Sequence, residues 1–310
     1  MKIILKDVFP WQTPVVTEGH SFACLESEPL SADIQYLAVP WAPIIDNLHF
    51  GNGKNKAIAE KFIDDIKRSD FSDKHTFTIC QSYRYREITK LLNRIGVDLV
   101  FAPHAIDSEP FHENVQIEPL PLFPVNVPQP TDKDIWYSFV GAYSESYVSD
   151  IRLKIFNDSH PSNSVVIQRK KWQFNDAVYG EQLRGTKTNS VQSYISNEHT
   201  VFYNDIIARS RFSLCPSGAG PASIRFFESL GAGAIPVFLA DDWSLPKIDS
   251  FDWDSCCIKI PESEYSSLRN ILASITEKEE NDLRFNCYKA FENISKNNFV
   301  KCIRNYYERK

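Results

Sequence analysis

A chain of 310 residues with 43% hydrophobic and 13% aromatic content is long enough for one large or two modest packed domains, which excludes a disordered or fibrous protein. Lys plus Arg total 34 against 40 Asp plus Glu, a net charge of −6, and the one basic block is Arg169 to Lys171, so the chain lacks an electrostatic footprint for nucleic acid. No apolar run approaches the length of a bilayer span, and the opening MKIILKDVFPW is too short for a signal-peptide core, so the sequence reads as soluble and cytoplasmic.

In chain order, Ile3 to Leu5 and Gln35 to Val39 are predicted strands, Val39 to Pro43 a loop, and Ala57 to Ile66 an amphipathic helix. His49 to Asn55 contains GNGKN, which lacks the spacing and terminal Lys-Ser/Thr of a P-loop and reads as an ordinary turn. Thr76 to Cys80 is a strand, Glu87 to Arg94 a helix ended by Gly96, and Leu99 to Ala102 another strand. Strands alternating with helices imply an α/β fold with a mostly parallel sheet, whose ligands bind at the carboxyl ends of the strands. That rule places Gln81 to Arg86 and Pro103 to Asp107 at a cleft edge. Pro119, Pro121, Pro124, Pro128 and Pro130 mark a joint, so a first domain spans 1–130.

A second domain, 131–285, opens with a strand from Ile135 to Val140, a small polar turn from Gly141 to Ser146, and a helix from Val148 to Phe156 that carries Arg152. The turn is a candidate phosphate cradle. Val165 to Gln168 is a strand, followed by a loop in which Arg169, Trp172 and Tyr179 stand beside a possible pocket. Asn204 to Ser210 ends a helix that leads into the central stretch, Arg211 to Pro246. There Phe212 to Cys215 is a strand, Ser217, Gly218 and Gly220 a flexible turn, and Pro221 to Ala232 a helix with Pro221 at its first position. Ile224, Phe227 and Leu230 share one face of that helix, with Arg225 and Glu228 on another. Free N–H groups and the helix dipole at its amino end favour an anion. Ile235 to Ala240 and Cys257 to Ile260 complete the strands, and a helical period runs from Glu262 onward. The seven cysteines are odd in number and lack a C-x-x-C pair, so they read as reduced, buried thiols and not as a disulfide frame or metal site.

Cys215, Pro216, Ser217, Gly218, Ser223, Arg225, Phe226, Glu228, Leu230, Ala232, Gly233, Ile235, Pro236, Val237, Trp243, Leu245 and Pro246 fall in the order and spacing of the exostosin-type glycosyltransferases, which the chain resembles over about two thirds of its length. The resemblance implies a GT-B type fold, two Rossmann-like domains facing across a cleft, with the terminal residues 286–310 packing back on the first. It also implies transfer of a sugar from a nucleotide-diphosphate donor, a UDP- or GDP-sugar, to an oligosaccharide or glycolipid acceptor. Surface polysaccharide synthesis, with peripheral membrane association through the acceptor, is the expected setting.

Such a transfer needs a clamp on the leaving diphosphate and a base for the attacking hydroxyl. Gly141, Arg152, Arg211, Ser217, Gly218, Ser223 and Arg225 are the expected donor-binding residues, with Glu228 turned to the ribose hydroxyls. Asp241 and Asp242 are adjacent and point to opposite sides of an extended segment, so the clamp is expected to need no metal or other cofactor. Retaining enzymes of the two-Rossmann type often carry a second Glu eight residues before this one, and Gly220 stands there, which leans toward inversion. Asp46, His104, Glu87 and Asp107 are candidate bases, with Asp46 and His104 placed first. Two rival readings stay open: an inactive glycan- or nucleotide-binding protein, and a sugar-nucleotide epimerase of related fold.

Overall fold

The computed structural model describes residues 1–67, 75–183, 194 and 197–310. Two sheets of mostly parallel strands organise it. The first domain contributes β1 (Lys2–Leu5), α1 (Thr17–Ser27), β2 (Ile34–Ala38), α2 (Trp41–Phe50), α3 (Gly53–Asp65), β3 (His75–Ile79), α4 (Arg86–Ile95), β4 (Leu99–Ala102), β5 (Phe111–His112) and β6 (Val115–Pro119). Its strands lie in the order β1-β2-β3-β4-β6-β5, and only the β5 edge is antiparallel. Alternate residues of the central strands feed two cores. Tyr36, Phe77 and Phe101 face one side, while Leu37 and Val100 pack with Ile45, Ala59, Ile88 and Leu92 on the other.

The second domain follows with β7 (Ile135–Ala142), α5 (Ile151–Asn157), β8 (Val165–Arg169), α6 (Glu198–Arg209), β9 (Ser210–Pro216), α7 (Ile224–Ala232), β10 (Ile235–Leu239) and β11 (Ile258–Lys259). Its sheet is wholly parallel, in the order β11-β10-β9-β7-β8. Then come α8 (Leu268–Ser274), α9 (Glu277–Ile294) and α10 (Lys301–Glu308). α10 lies on the first sheet, where the Tyr306 ring meets Phe101 edge-on at 5.6 Å and its hydroxyl donates to Gln116 Oε1 at 3.0 Å. The architecture is therefore α/β, two Rossmann-like domains facing across a cleft.

A seam joins the domains beside the cleft. Trp243 Nε1 donates to the Pro103 carbonyl at 2.9 Å, Ser244 N to Ala105 O at 3.0 Å, and the Ser108 hydroxyl to Asp242 Oδ2 at 2.7 Å. All seven cysteines are buried and free. Among the described residues no helix is long and apolar enough to cross a membrane.

Three local differences from the sequence reading have clear causes. The predicted loop at Val39 to Pro43 is instead the start of α2. Pro43 falls in the first turn, where a missing N–H removes no intrahelical bond, and the Ala42 N–H is received by the Glu18 carboxylate at 3.1 Å. α1 was not predicted, and its polar residues are satisfied by partners far along the chain. α7 begins at Ile224 and not at Pro221, with Ser223 as an extended N-cap. The Ala222 N–H donates to His104 Nδ1 at 3.3 Å, which draws the preceding loop toward the other domain.

Gly233 ends α7 with φ 64°, and a Cβ there would run into the Tyr288 side chain. Gly233→Ala is therefore expected to lower the unfolding free energy by about 1–2 kcal/mol or more, read from the denaturant midpoint at unchanged slope.

Candidate functional site

A cavity of about 800 Å³ lies between the carboxyl ends of the two sheets. It falls within the roughly 300–1,000 Å³ typical of small-molecule sites. Its second-domain wall is made by the segments after β7, β8 and β9 and by the amino end of α7.

Two guanidinium groups dominate that wall. Arg225, 7% exposed, lies over the Phe139 ring at 4.5 Å and donates to the carbonyls of Val140 and Leu214. Its Nε is buried and, among the described residues, has no partner. Arg152 donates from Nε to Ser217 O at 2.6 Å, from Nη1 to Ala142 O at 3.1 Å and from Nη2 to Pro216 O at 3.3 Å. It shares the Phe139 ring at 5.6 Å and also covers Tyr147 at 5.1 Å. Burial, with the charge of Arg225 beside it, pulls Arg152 down to about 10, so it stays a cation at neutral pH. Among the described residues neither arginine has a carboxylate in ion-pair contact. Two like charges held this close and drawn from water are costly unless an anion joins them.

Backbone and small residues complete an anion cradle. Ser223 sits at the N-cap of α7 without making a side-chain capping bond, and Ser223, Ile224 and Arg225 all line the cavity, so the first turn of the helix, with N–H groups that lack intrahelical partners, borders it. Gly218 and Gly141 also line it. A Cβ on Gly218 would fall 2.7 Å from Arg152 Nη2, and one on Gly141 would fall 3.0 Å from the Phe139 ring, so both positions need close backbone approach. Arg169, Lys170, Lys171, Trp172 and Tyr179 extend the same wall.

The first-domain wall carries Asp46. This carboxylate lies on α2, 7% exposed, and Oδ2 accepts from Gln12 Nε2 at 2.7 Å. Gln12 Oε1 in turn accepts from Gln81 Nε2 at 2.9 Å, and the Gln81 N–H donates to Glu18 at 2.9 Å. Burial raises Asp46 to about 6, opposed by the Gln12 hydrogen bond and by the nearby Arg84 and His49. An aspartate poised near neutrality in a cleft fits a general base.

Several sequence-predicted residues stand elsewhere or act otherwise. His104 lines the cavity, but burial and the charge of Arg86 push it down to about 3, and Nδ1 already accepts the Ala222 N–H. It is a neutral imidazole able to donate from Nε2, and it is too weak a proton acceptor to serve as the base. Arg211 leaves the donor set because it forms a bidentate pair with Glu280 on α9. Ser217 lies behind the cradle, donating to Glu262 Oε1 at 2.9 Å and bonding Ser149 at 3.0 Å. Glu228 is 3% exposed and does not line the cavity; Oε2 accepts from the Tyr203 hydroxyl at 2.7 Å. Burial raises that carboxyl to about 7, moderated by Tyr203 and Arg225. Glu87 is held by His49 and Arg84 on the surface, and Asp107 is exposed at the domain seam.

Asp241 and Asp242 turn to different partners, the first accepting from Glu262 N at 2.8 Å and the second from Ser108. Among the described residues no three His, Cys, Asp or Glu side chains gather in a group that could hold a metal ion. Gln12 and Tyr203 were missed in the sequence reading. Both are placed by contacts across long stretches of chain, and neither sits in a local motif.

Comparison with known proteins adds a lineage. A family model described as the Exostosin GT47 domain matches residues 104–275, more than half of the 310. The Exostosin-1 homolog of Caenorhabditis elegans is 32% identical over 90 residues, 29% of this chain and 24% of that protein. A probable glucuronosyltransferase of Oryza sativa subsp. japonica is 36% identical over 108 residues, 33% of this chain and 25% of that protein. The probable beta-1,4-xylosyltransferase IRX10 of Arabidopsis thaliana is 33% identical over 108 residues, 33% of this chain and 26% of that protein. The chain thus spans about a quarter of the length of these curated relatives. Among solved structures, WaaG, described as a glycosyltransferase involved in lipopolysaccharide biosynthesis, superposes at a TM-score of 0.46 and 10% identity, covering 98% of this chain and 97% of that one. The family match takes in His104, the cleft turn at Gly141, Arg152, Arg169, Arg225 and all of α7, and with more than half of the residues inside it the chain belongs to the Exostosin GT47 family.

Proposed function

We propose that this protein is a glycosyltransferase that moves a sugar from a nucleoside-diphosphate donor, UDP- or GDP-linked, to a hydroxyl of a glycan acceptor. The observation that carries the reading is the pair Arg152 and Arg225, two guanidinium groups without carboxylate partners among the described residues, beside the amino end of α7 and lining a cavity with Asp46 on its other wall. A leaving diphosphate supplies the charge that such a wall lacks. The names of the relatives, a glucuronosyltransferase and a xylosyltransferase among them, support the same class of reaction.

In this reading Asp46 takes the proton from the acceptor hydroxyl as its oxygen bonds to the anomeric carbon. The bond from that carbon to the phosphate oxygen breaks, and the charge left on the diphosphate is taken up by Arg152, Arg225, Ser223 and the free N–H groups of α7. His104 donates to the bound ligand from Nε2. The clamp is cationic and helical, so the proposed transfer does not depend on a metal ion. Inversion is the favoured outcome, because a side chain at Gly220 would collide with His104 and would meet Tyr83 Cβ at 2.7 Å, so that position cannot supply a second carboxylate. The proposed setting is surface polysaccharide synthesis.

The test is nucleotide release and product analysis with UDP- and GDP-sugars, in the presence of mixed oligosaccharides. Transfer with the anomeric configuration inverted, and a rate that chelation with EDTA leaves in place, is the expected result. Epimerised free donor, or no turnover with any donor, would replace the reading with an epimerase or a binding protein.

A further inference from the structure

Phe50 stands out among the cavity residues. It is 48% exposed, and it belongs to none of the apolar clusters that form the cores. It is the last residue of α2, four positions after Asp46, so the two side chains share one face of the helix. Its ring meets Tyr179 edge-on with centroids 5.3 Å apart, and Tyr179 neighbours Trp172 at 6.1 Å. Phe50 comes from the first domain, while Tyr179 lies in a π-helical turn of the second, Asp176–Gln182, a type of turn that recurs at functional sites. All three rings line the cavity.

We propose that Phe50, Tyr179 and Trp172 form a stacking platform for a sugar ring of the acceptor, a subsite that spans both domains and presents one hydroxyl to Asp46. The inference rests on the transferase reading. A pyranose has an apolar C–H face, which gains from an aromatic surface, and a rim of hydroxyls, which do not need to leave water. A diphosphate gains little from such a surface and finds its cations in Arg152 and Arg225, beside the amino end of α7. Residues one helical turn apart place their Cβ atoms roughly 5–6 Å from each other, so a ring lying on Phe50 brings its rim hydroxyls within reach of the Asp46 carboxylate. The edge contact between Phe50 and Tyr179 also makes the platform depend on the cleft being closed over it.

The experiment uses the full chain, calorimetry with UDP, and calorimetry with β-linked hexasaccharides of glucose, xylose and N-acetylglucosamine. Wild type is expected to bind at least one hexasaccharide. Phe50→Ala and Tyr179→Ala each weaken it about tenfold, Phe50→Trp restores it, and UDP affinity shifts by no more than about twofold. Phe50 is exposed, so its alanine variant keeps the fold, which an unchanged melting temperature checks. Binding of UDP without binding of any hexasaccharide, or hexasaccharide binding indifferent to Phe50→Ala, overturns the platform and leaves the transferase reading in place. A collapse of UDP affinity in Phe50→Ala also overturns it, assigning the ring to the nucleobase. Failure of wild type to bind either UDP or, in a parallel titration, GDP removes the transferase reading itself.

Discussion

Asp46→Asn is expected to lower kcat/KM by about 10²–10⁴-fold, the usual contribution of a positioned general base. The substitution is nearly isosteric and keeps an oxygen to accept from Gln12, so the fold and the donor site should persist. In the wild-type protein, kcat/KM should rise with pH through about 6 and then level, because Asp46 must be ionised to accept a proton. That limb should vanish in the asparagine variant. Stability moves the other way. The folded pKa of about 6 lies above the ordinary aspartate value of 3.8, so the native state holds this proton more tightly than the unfolded chain does. The stability it contributes is full below the ordinary value and is lost as pH climbs toward 6. At neutral pH the asparagine variant is therefore expected to be at least as stable as wild type while nearly inactive. A loss of activity accompanied by a loss of stability would mark Asp46 as structural.

Arg225→Ala is expected to lower kcat/KM by about 10²–10³-fold, the scale seen when one preorganised donor to a developing charge is removed. Arg225→Lys should fall between, since an ammonium keeps the charge but loses the planar fork and the stacking on Phe139. Arg152→Ala should act in the same direction. The two effects should not add, because each guanidinium raises the cost of holding the other: Arg225 helps pull Arg152 down to about 10. A nucleotide that binds equally well to the alanine variants would mean that the diphosphate sits elsewhere in the cavity.

Much of the fold could be read from local pattern because parallel strands buried on both faces are nearly continuous apolar runs. β4 coincides with its predicted bounds, and β2, β3, β7 and β10 fall within a residue or two of theirs. α1 escaped because TEGHSFACLES has no apolar stripe. It is stabilised where Glu18 accepts N–H groups from Gln81 and Ala42, partners that no window along the chain can display. α2 escaped because Pro40 and Pro43 read as breakers, although one precedes the helix and the other occupies its first turn.

The site divides in the same way. Gly218, Ser223 and Arg225 lie in one turn and one helix, and their spacing already placed them together. Glu228 was carried along by that spacing to a role in the pocket, whereas the helix turns it behind Tyr203, a residue contributed by α6. Arg211 shows the same limit, since it looked like a free cation until α9 brought Glu280 against it. His104 was placed correctly in the cleft, yet its character as a base depended on burial and on Arg86, neither of which is local in sequence.

The most direct test of the arginine clamp is calorimetric titration of UDP and of GDP into wild type, Arg152→Ala and Arg225→Ala, each with EDTA present. Wild type is expected to bind one of the two nucleotides, and each variant to bind it roughly 10–100-fold more weakly, as loss of a hydrogen bond from a charged group requires. Binding that is unchanged in both variants, or absent from wild type with both nucleotides, would contradict the clamp.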